Sequence, residues 1–389
     1  MGEMGRCPGE ENWNAGVRLM HIGIISTCEH YSWAGTEEVW YHFAKLALES
    51  GHEVVLGAHA DVAASTQVDE LQASGLQVCR RRPRRPVRLY LMAERLRSEM
   101  NRLAECDVIL INAGSLFDTL NLPWIGQFVS RLARAGKRIV YFCHFCAESL
   151  PATGHSGQAI ARFLSEISQW VFVSHHNRQL AERQLATRFH KADVVMNGPR
   201  LQLSAPVPMP SGPVTFGCVA RLETRWKGHD ILLDCLAQPE WEARDWRMNI
   251  YGSGPDEEYL QRLIRHYELC GRVQLRGYVR DMTHVWKECH AKVLASHGEG
   301  TSLAVLEAMM CGRTVITTDV GGNREILEHD ISGFIADAAT PRCFGATLET
   351  AWAERDRWSE IGNSAFRAAQ RLACADPARA LLNLIEATA

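Results

Sequence analysis

No run in the 389-residue chain approaches the roughly 20 consecutive apolar residues that a membrane-spanning helix needs. No apolar stretch follows a basic start at the amino terminus, so no secretory leader is expected. Membrane association is therefore expected to be peripheral at most. The thirteen cysteines lack the spacing of a disulfide framework, which points to a reducing, cytoplasmic setting. The C-x2-C of Cys143 and Cys146 has one histidine and no second pair, too little for a zinc site. A formal net charge of −3 supplies no global field for nucleic acid, and no such partner is expected. What the chain does have is a globular balance of 46% hydrophobic and 22% charged residues, and length for two ordinary domains.

The most informative stretch is Ala295 to Leu327. A mostly apolar run, Ala291 to Ala295, reads as a strand. It turns through Gly298 and Gly300, and Thr301-Ser302 then starts a helix. From Leu303 to Cys311 every residue is apolar except Glu307, which helical spacing puts on the side of Leu303 and Met310. Burying an unpaired carboxylate costs several kcal/mol, so Glu307 is expected to have a hydrogen-bonding partner, protein or ligand. Free N–H groups of Thr301, Ser302 and Leu303 at the helix start suit phosphate. Glu299 precedes them, where the carboxyl end of a strand in an open α/β sheet meets a cleft.

Around this stretch the chain repeats strand, helix, strand. Residues 1–19 lack periodicity and read as a disordered or over-long extension. His21 to Ser26 is a strand, Thr36 to Ser50 a helix, and Val54 to Gly57 begins the next strand. Leu76 to Cys79 is a third, followed by the basic run Arg80 to Arg88. Prolines exclude a helix there, so the arginines are expected to project from a solvated loop. The run also offers a peripheral contact to anionic lipid head groups, at about 1 kcal/mol per residue. Strands Asp107 to Ile111 and Arg138 to Phe142 follow, the second delivering His144. Ser174 caps a helix after the Trp170 to Val173 strand. Prolines at 206, 208, 210 and 213 mark a linker.

A second doubly wound set begins at Val214. The loop after Val219 holds Arg221 and Lys227, six apart and able to converge on one diphosphate. Gly252-Ser253-Gly254-Pro255 follows the strand Met248 to Tyr251 but lacks the third glycine of a dinucleotide fingerprint. Gly277-Tyr278-Val279 follows another strand, Thr314 to Thr318 and Gly333 to Ala336 complete the set, and Pro341 to Thr388 is helical.

The E-x7-E of Glu299 and Glu307, with Glu-Ala-Met, Cys-Gly-Arg, Val-Gly-Gly and Glu325 in order behind it, resembles the signature of retaining glycosyltransferases of family 4. The resemblance implies an α/β GT-B fold, two Rossmann-like domains facing across a cleft. An acceptor domain would span 20–205 and a donor domain 206–370, with a helix over 371–389 crossing back. It puts Glu299 beside the donor sugar, Glu307 on the nucleotide ribose, Arg221 and Lys227 on the donor β-phosphate, and His144 on the hexose. Gly35, Gly252, Gly300, Thr301, Ser302, Leu303 and Val279 join them as donor-binding candidates. The family's first loop usually has two adjacent glycines; here Ala34 precedes Gly35.

The activity implied is retaining transfer of a hexose from a nucleotide-sugar to a glycan, lipid-linked or small-molecule acceptor. No D-x-D pair sits at a strand end of the second half, so no metal or other cofactor is expected. Front-side attack, with the donor phosphate as base, is the expected route. A hydrolysing epimerase and a glycogen/starch-type synthase remain open on the same fold. A nucleotide-sugar-binding protein without transfer is a third alternative, favoured by Ala34-Gly35 and by Gly300-Thr301-Ser302, where relatives often carry an aromatic.

Overall fold

Apolar runs without alternation suit strands covered on both faces, as in parallel sheets. The computed structural model, which describes residues 19–29, 33, 35–81, 100–149 and 154–387, folds them into two such sheets. The first contains β1 (His21–Ser26), β2 (Glu53–His59), β3 (Gln77–Arg81), β4 (Val108–Ala113), β5 (Arg138–Cys143), β6 (Gln169–Phe172) and β7 (Ala192–Val194), in the order β3-β2-β1-β4-β5-β6-β7. The second contains β8 (Val214–Val219), β9 (Trp246–Tyr251), β10 (Val273–Gly277), β11 (Ala291–Leu294), β12 (Thr314–Thr318) and β13 (Gly333–Ala336), in the order β10-β9-β8-β11-β12-β13. All the pairings are parallel. The winding reverses between β1 and β4 and again between β8 and β11, and at such switch points the loops leaving the carboxyl ends diverge and leave a crevice. The loops that carry Gly35, Arg221 and Glu299 leave these strands.

One expectation about the basic run is corrected. The strand does not stop at Cys79 but continues to Arg81, whose side chain is buried rather than solvated. Its Nη1 pairs with Glu29 at 3.0 Å, its Nη2 donates to the Ser26 carbonyl, and its guanidinium lies 4.6 Å from the Trp124 ring centre. Arg81 is thus tied within the first domain and is unavailable to a membrane. The rest of the run, Arg82 to Arg88, lies outside the described residues.

The chain passes between the two sheets twice. The first passage is pinned by Arg313, fully buried after the Cys-Gly turn. Its Nε donates to the Trp286 carbonyl, Nη1 to the Val207 and Cys311 carbonyls, and Nη2 to those of Pro208 and Trp286. An arginine presents enough fixed donors to satisfy such a set. Arg313→Met is expected to lower stability by about 3 kcal/mol or more, because several buried carbonyls lose their donor together. Urea denaturation checks this, and a loss below about 1 kcal/mol would mean that the linker is held otherwise.

The second passage separates the last two helices. Trp358–Ala373 packs with Met309 and Met310 through Ala365, Phe366 and Ala369. Pro377–Glu386 instead joins the first domain, where Leu381, Leu382 and Ile385 are fully buried beside Trp40, Phe43 and Ala47. Arg138 donates to the Leu384 and Ile385 carbonyls near its end, and His52 meets Glu386 at 2.9 Å.

Candidate functional site

Loops from both sheets enclose a cavity of about 290 Å3. Gly35, Thr36, His144 and Phe145 line it from the first domain, and Arg221, Lys227, Glu299, Gly300, Thr301, Ser302 and Leu303 from the second. Nine of the twelve residues singled out in the sequence therefore meet in one place.

Glu299 is 7% exposed, and its Oε1 accepts from Lys227 Nζ at 2.8 Å and from Ser296 Oγ at 2.7 Å. A buried carboxylate held by an ammonium and a hydroxyl is fixed in direction. Arg221 lines the same cavity and pairs with Glu223. Beyond Glu299 the helix Leu303–Met310 begins, with Ser302 in the cap position. Among the described residues no acceptor meets the N–H groups of Ser302, Leu303 and Ala304, which leaves them available to an anion. Thr301 is committed elsewhere: its hydroxyl donates to the Val173 carbonyl of the first domain at 2.7 Å. Gly300 is needed for that approach, since a Cβ there would lie 2.1 Å from the His144 carbonyl oxygen.

His144 is 4% exposed, and burial pulls its imidazole down to about 3, so it is neutral. Asn112 sets its tautomer. Nδ2 of Asn112 donates to the Thr36 carbonyl at 3.2 Å, which leaves Oδ1 to accept from His144 Nε2 at 2.8 Å. With the proton on Nε2, Nδ1 is a lone-pair acceptor, and it is buried without a hydrogen-bond partner among the described residues. His144 lines the cavity, and an acceptor of this kind suits a sugar hydroxyl.

Gly35 is not among the glycines with positive φ. It opens the helix Gly35–Glu49, and its small size admits neighbours instead: a Cβ there would lie 3.2 Å from Leu303 Cδ1. The structure does not place Gly252 or Val279 on the cavity. Gly252 has φ 143°, and a Cβ there would lie 1.9 Å from the Ala220 carbonyl oxygen, so it seats the Arg221 loop from behind. Val279 is half-buried against the core beneath the Leu303–Met310 helix. Glu307 also lies off the cavity, half-buried, and no hydrogen bond reaches its carboxylate from the described residues. Burial raises its pKa, opposed by Arg200 and Lys292 and reinforced by Glu38. The partner its burial demands is therefore not supplied by a hydrogen bond from the described residues. Asn112, Arg200 and Lys292 escaped the sequence reading, although Asn112 and Lys292 were visible as polar interruptions of apolar strands.

A second set of contacts joins the domains at the rim. Glu325 accepts from the backbone N–H groups of His175 and His176 at 3.0 and 2.8 Å, at the start of the helix His175–Gln184. In return Glu148 of the first domain accepts from Gly321 N–H at 3.0 Å, and within its own domain it meets His176 Nε2 at 3.0 Å. The Glu148 hydrogen bond raises the His176 pKa, with burial opposing it and Asp319 and Glu325 adding to it. A raised histidine pKa gives a contact that is fully present below the usual histidine value and is lost as pH rises through the raised one. His176 and Glu148 both belong to the first domain, so thermal stability is expected to fall as pH rises across that window in the wild type and not in His176→Gln, which melting curves against pH check.

Residues 213–354 match the family model described as Glycosyl transferases group 1. An uncharacterized glycosyltransferase of Haemophilus influenzae is 28% identical over 113 residues, covering 29% of this chain and 32% of the relative. The D-inositol 3-phosphate glycosyltransferase of Thermobispora bispora is 25% identical over 280 residues, covering 64% of this chain and 65% of the relative. The chain thus spans less than two thirds of the length of these relatives. Anabaena HepE, solved with UDP and glucose, superposes with a TM-score of 0.72 at 19% identity, over 95% of this chain and 100% of that one. The fold is GT-B. The cavity lies between the two switch points, where loops of both sheets meet. Among the described residues no helix is long and apolar enough to cross a membrane, and no three His, Cys, Asp or Glu side chains are grouped to hold a metal ion.

Proposed function

We propose that this protein is a retaining glycosyltransferase that moves a hexose from a nucleotide-sugar donor, without a metal ion, to a glycan, lipid-linked or small-molecule acceptor. One observation carries the reading. The Lys227–Glu299 pair, the open N–H groups of Ser302 to Ala304 and the neutral His144 face a single interdomain cavity. The diphosphate would lie between Lys227, Arg221 and the helix start, where negative charge develops as the sugar leaves. His144 Nδ1 would accept from a hexose hydroxyl, and Glu307 from the ribose. The cations and N–H groups on the phosphate side are those a metal-independent departure needs. Glu299 is already bound on one oxygen by Lys227 and Ser296, which favours a positioning role over nucleophilic attack and so favours front-side transfer. The complex of Anabaena HepE with UDP-glucose supports a nucleotide-sugar of the same chemistry here.

A thermal-shift panel of UDP-, GDP- and ADP-sugars, followed by turnover assays with and without EDTA, tests this. A ligand at about 100 times its Kd is expected to add about 2.7 kcal/mol to stability. No shift with any nucleotide-sugar would overturn the reading of the site. Activity lost to EDTA and restored by magnesium would overturn its metal independence.

A further inference from the structure

Among the described residues lining the cavity, Phe145 is the single phenyl or indole ring, and the donor reading gives it no task. It follows His144 just past the end of β5, half-buried, with its carbonyl held by the Leu116 N–H at 3.1 Å. Its ring crosses to the second domain. There it meets Trp226 edge to face, with the ring centres 5.0 Å apart and the planes at 80°, an arrangement that aromatic pairs favour.

The second domain receives this ring in a notch with two walls. Trp226 stands half-buried on the short helix Thr224–Lys227, one residue before Lys227, and its carbonyl accepts from the His297 N–H at 2.9 Å. Gly298, one residue before Glu299, is buried, and a Cβ there would lie 2.9 Å from both Cε2 and Cζ of Phe145 and 3.9 Å from Trp226 Cε3. The side chain missing at 298 is the space that the ring fills. The contact therefore joins the immediate neighbours of His144, Lys227 and Glu299, the three groups at the sugar end of the cavity. Neither ring is charged, and Trp226 does not line the cavity, so holding the donor is not what the pair offers. An apolar plug between two domains offers exclusion of water.

We propose that Phe145, seated between Trp226 and Gly298, seals the sugar end of the cavity against bulk water and so reserves the sugar for the acceptor. This rests on the reading of His144, Lys227 and Glu299 as donor-site residues. A site that activates a nucleotide-sugar faces a competing reaction. In it a water oxygen bonds to the anomeric carbon, the bond from that carbon to the diphosphate oxygen breaks, and the water's proton passes to the departing diphosphate, leaving free hexose. Closing a site over its substrate suppresses such hydrolysis by expelling the water. Because the ring comes from one domain and the notch from the other, the seal exists only while the domains are together.

Release of nucleoside diphosphate from UDP-, GDP- and ADP-glucose, measured with no acceptor present, tests this alongside calorimetric titration of the same ligands. Phe145→Ala and Trp226→Ala empty the contact, and Gly298→Ala keeps both rings but drives Phe145 from its place. Each is expected to release nucleoside diphosphate about tenfold faster than the wild type. Trp226→Phe, which keeps an aromatic wall, is expected to stay within about twofold of the wild type, and nucleoside diphosphate affinity in Trp226→Ala is expected to do the same. If the wild type binds none of the three sugars, the donor-site reading fails and the seal with it. If it binds one of them and all three alanine variants hydrolyse it at the wild-type rate, the seal fails and the donor site stands. Nucleoside diphosphate affinity lost in both Trp226→Ala and Gly298→Ala would make the contact part of donor binding and overturn the proposal.

Discussion

Lys227→Ala is expected to reduce transfer about a thousandfold, the largest effect of any single change in the cleft. The lysine faces the cavity where the diphosphate would sit and holds Glu299 through a 2.8 Å contact. Removing it takes away a cation from the leaving group and strands a carboxylate that is 7% exposed. A buried acid deprived of its partner protonates or swings away, and either response disturbs the sugar-facing wall. The two side chains should therefore behave as a unit. Lys227→Ala combined with Glu299→Gln should be little worse than Lys227→Ala alone, because the second change neutralises the stranded charge. Initial rates with a nucleotide-sugar, alongside near-ultraviolet circular dichroism as a folding control, check this. A loss under about tenfold in a folded variant would remove the lysine from the chemistry.

Glu307→Ala should weaken nucleoside diphosphate binding about a hundredfold, or about 2–3 kcal/mol, without harming the fold. The reason lies in the ligand-free state. A half-buried carboxylate with no protein hydrogen bond contributes nothing that its removal would forfeit, so the melting temperature should hold or rise. Binding loses the acceptor that two ribose hydroxyls would share. Unchanged UDP affinity in this variant would show that the ribose lies elsewhere.

Much of this architecture was legible because the responsible signals are local. Apolar runs ending in glycine turns marked the strands of both sheets, and the Arg221 and Lys227 spacing put two cations on one loop. The E-x7-E stretch was readable for the same reason: one turn and one helix carry both acids. Arg81 was misplaced because an arginine after an apolar strand normally stays in water. It is buried only where Glu29, the Ser26 carbonyl and Trp124 gather around it, and none of these adjoins it in the chain. Asn112 and His144 lie 32 residues apart, and their pairing is a property of neighbouring strands β4 and β5. Gly252 looked like a ligand-facing glycine because a G-x-G motif does not say which side of it is crowded. The Ala220 carbonyl, not a phosphate, is what comes close. Glu307 illustrates the complementary case, since the cost of burying it predicted a partner that the described protein residues do not supply by hydrogen bonding.

The docking of Pro377–Glu386 onto the first domain bears on how the protein is made. A ribosome releases the first sheet long before it synthesises Leu381, Leu382 and Ile385, so the helix Gly35–Glu49 waits with part of its apolar face uncovered. The second domain can fold during that wait, because its own core is complete once Ala373 has emerged. The domain translated first is therefore completed after the second, and chaperone binding to nascent chains should concentrate on that uncovered face until Pro377–Glu386 has emerged.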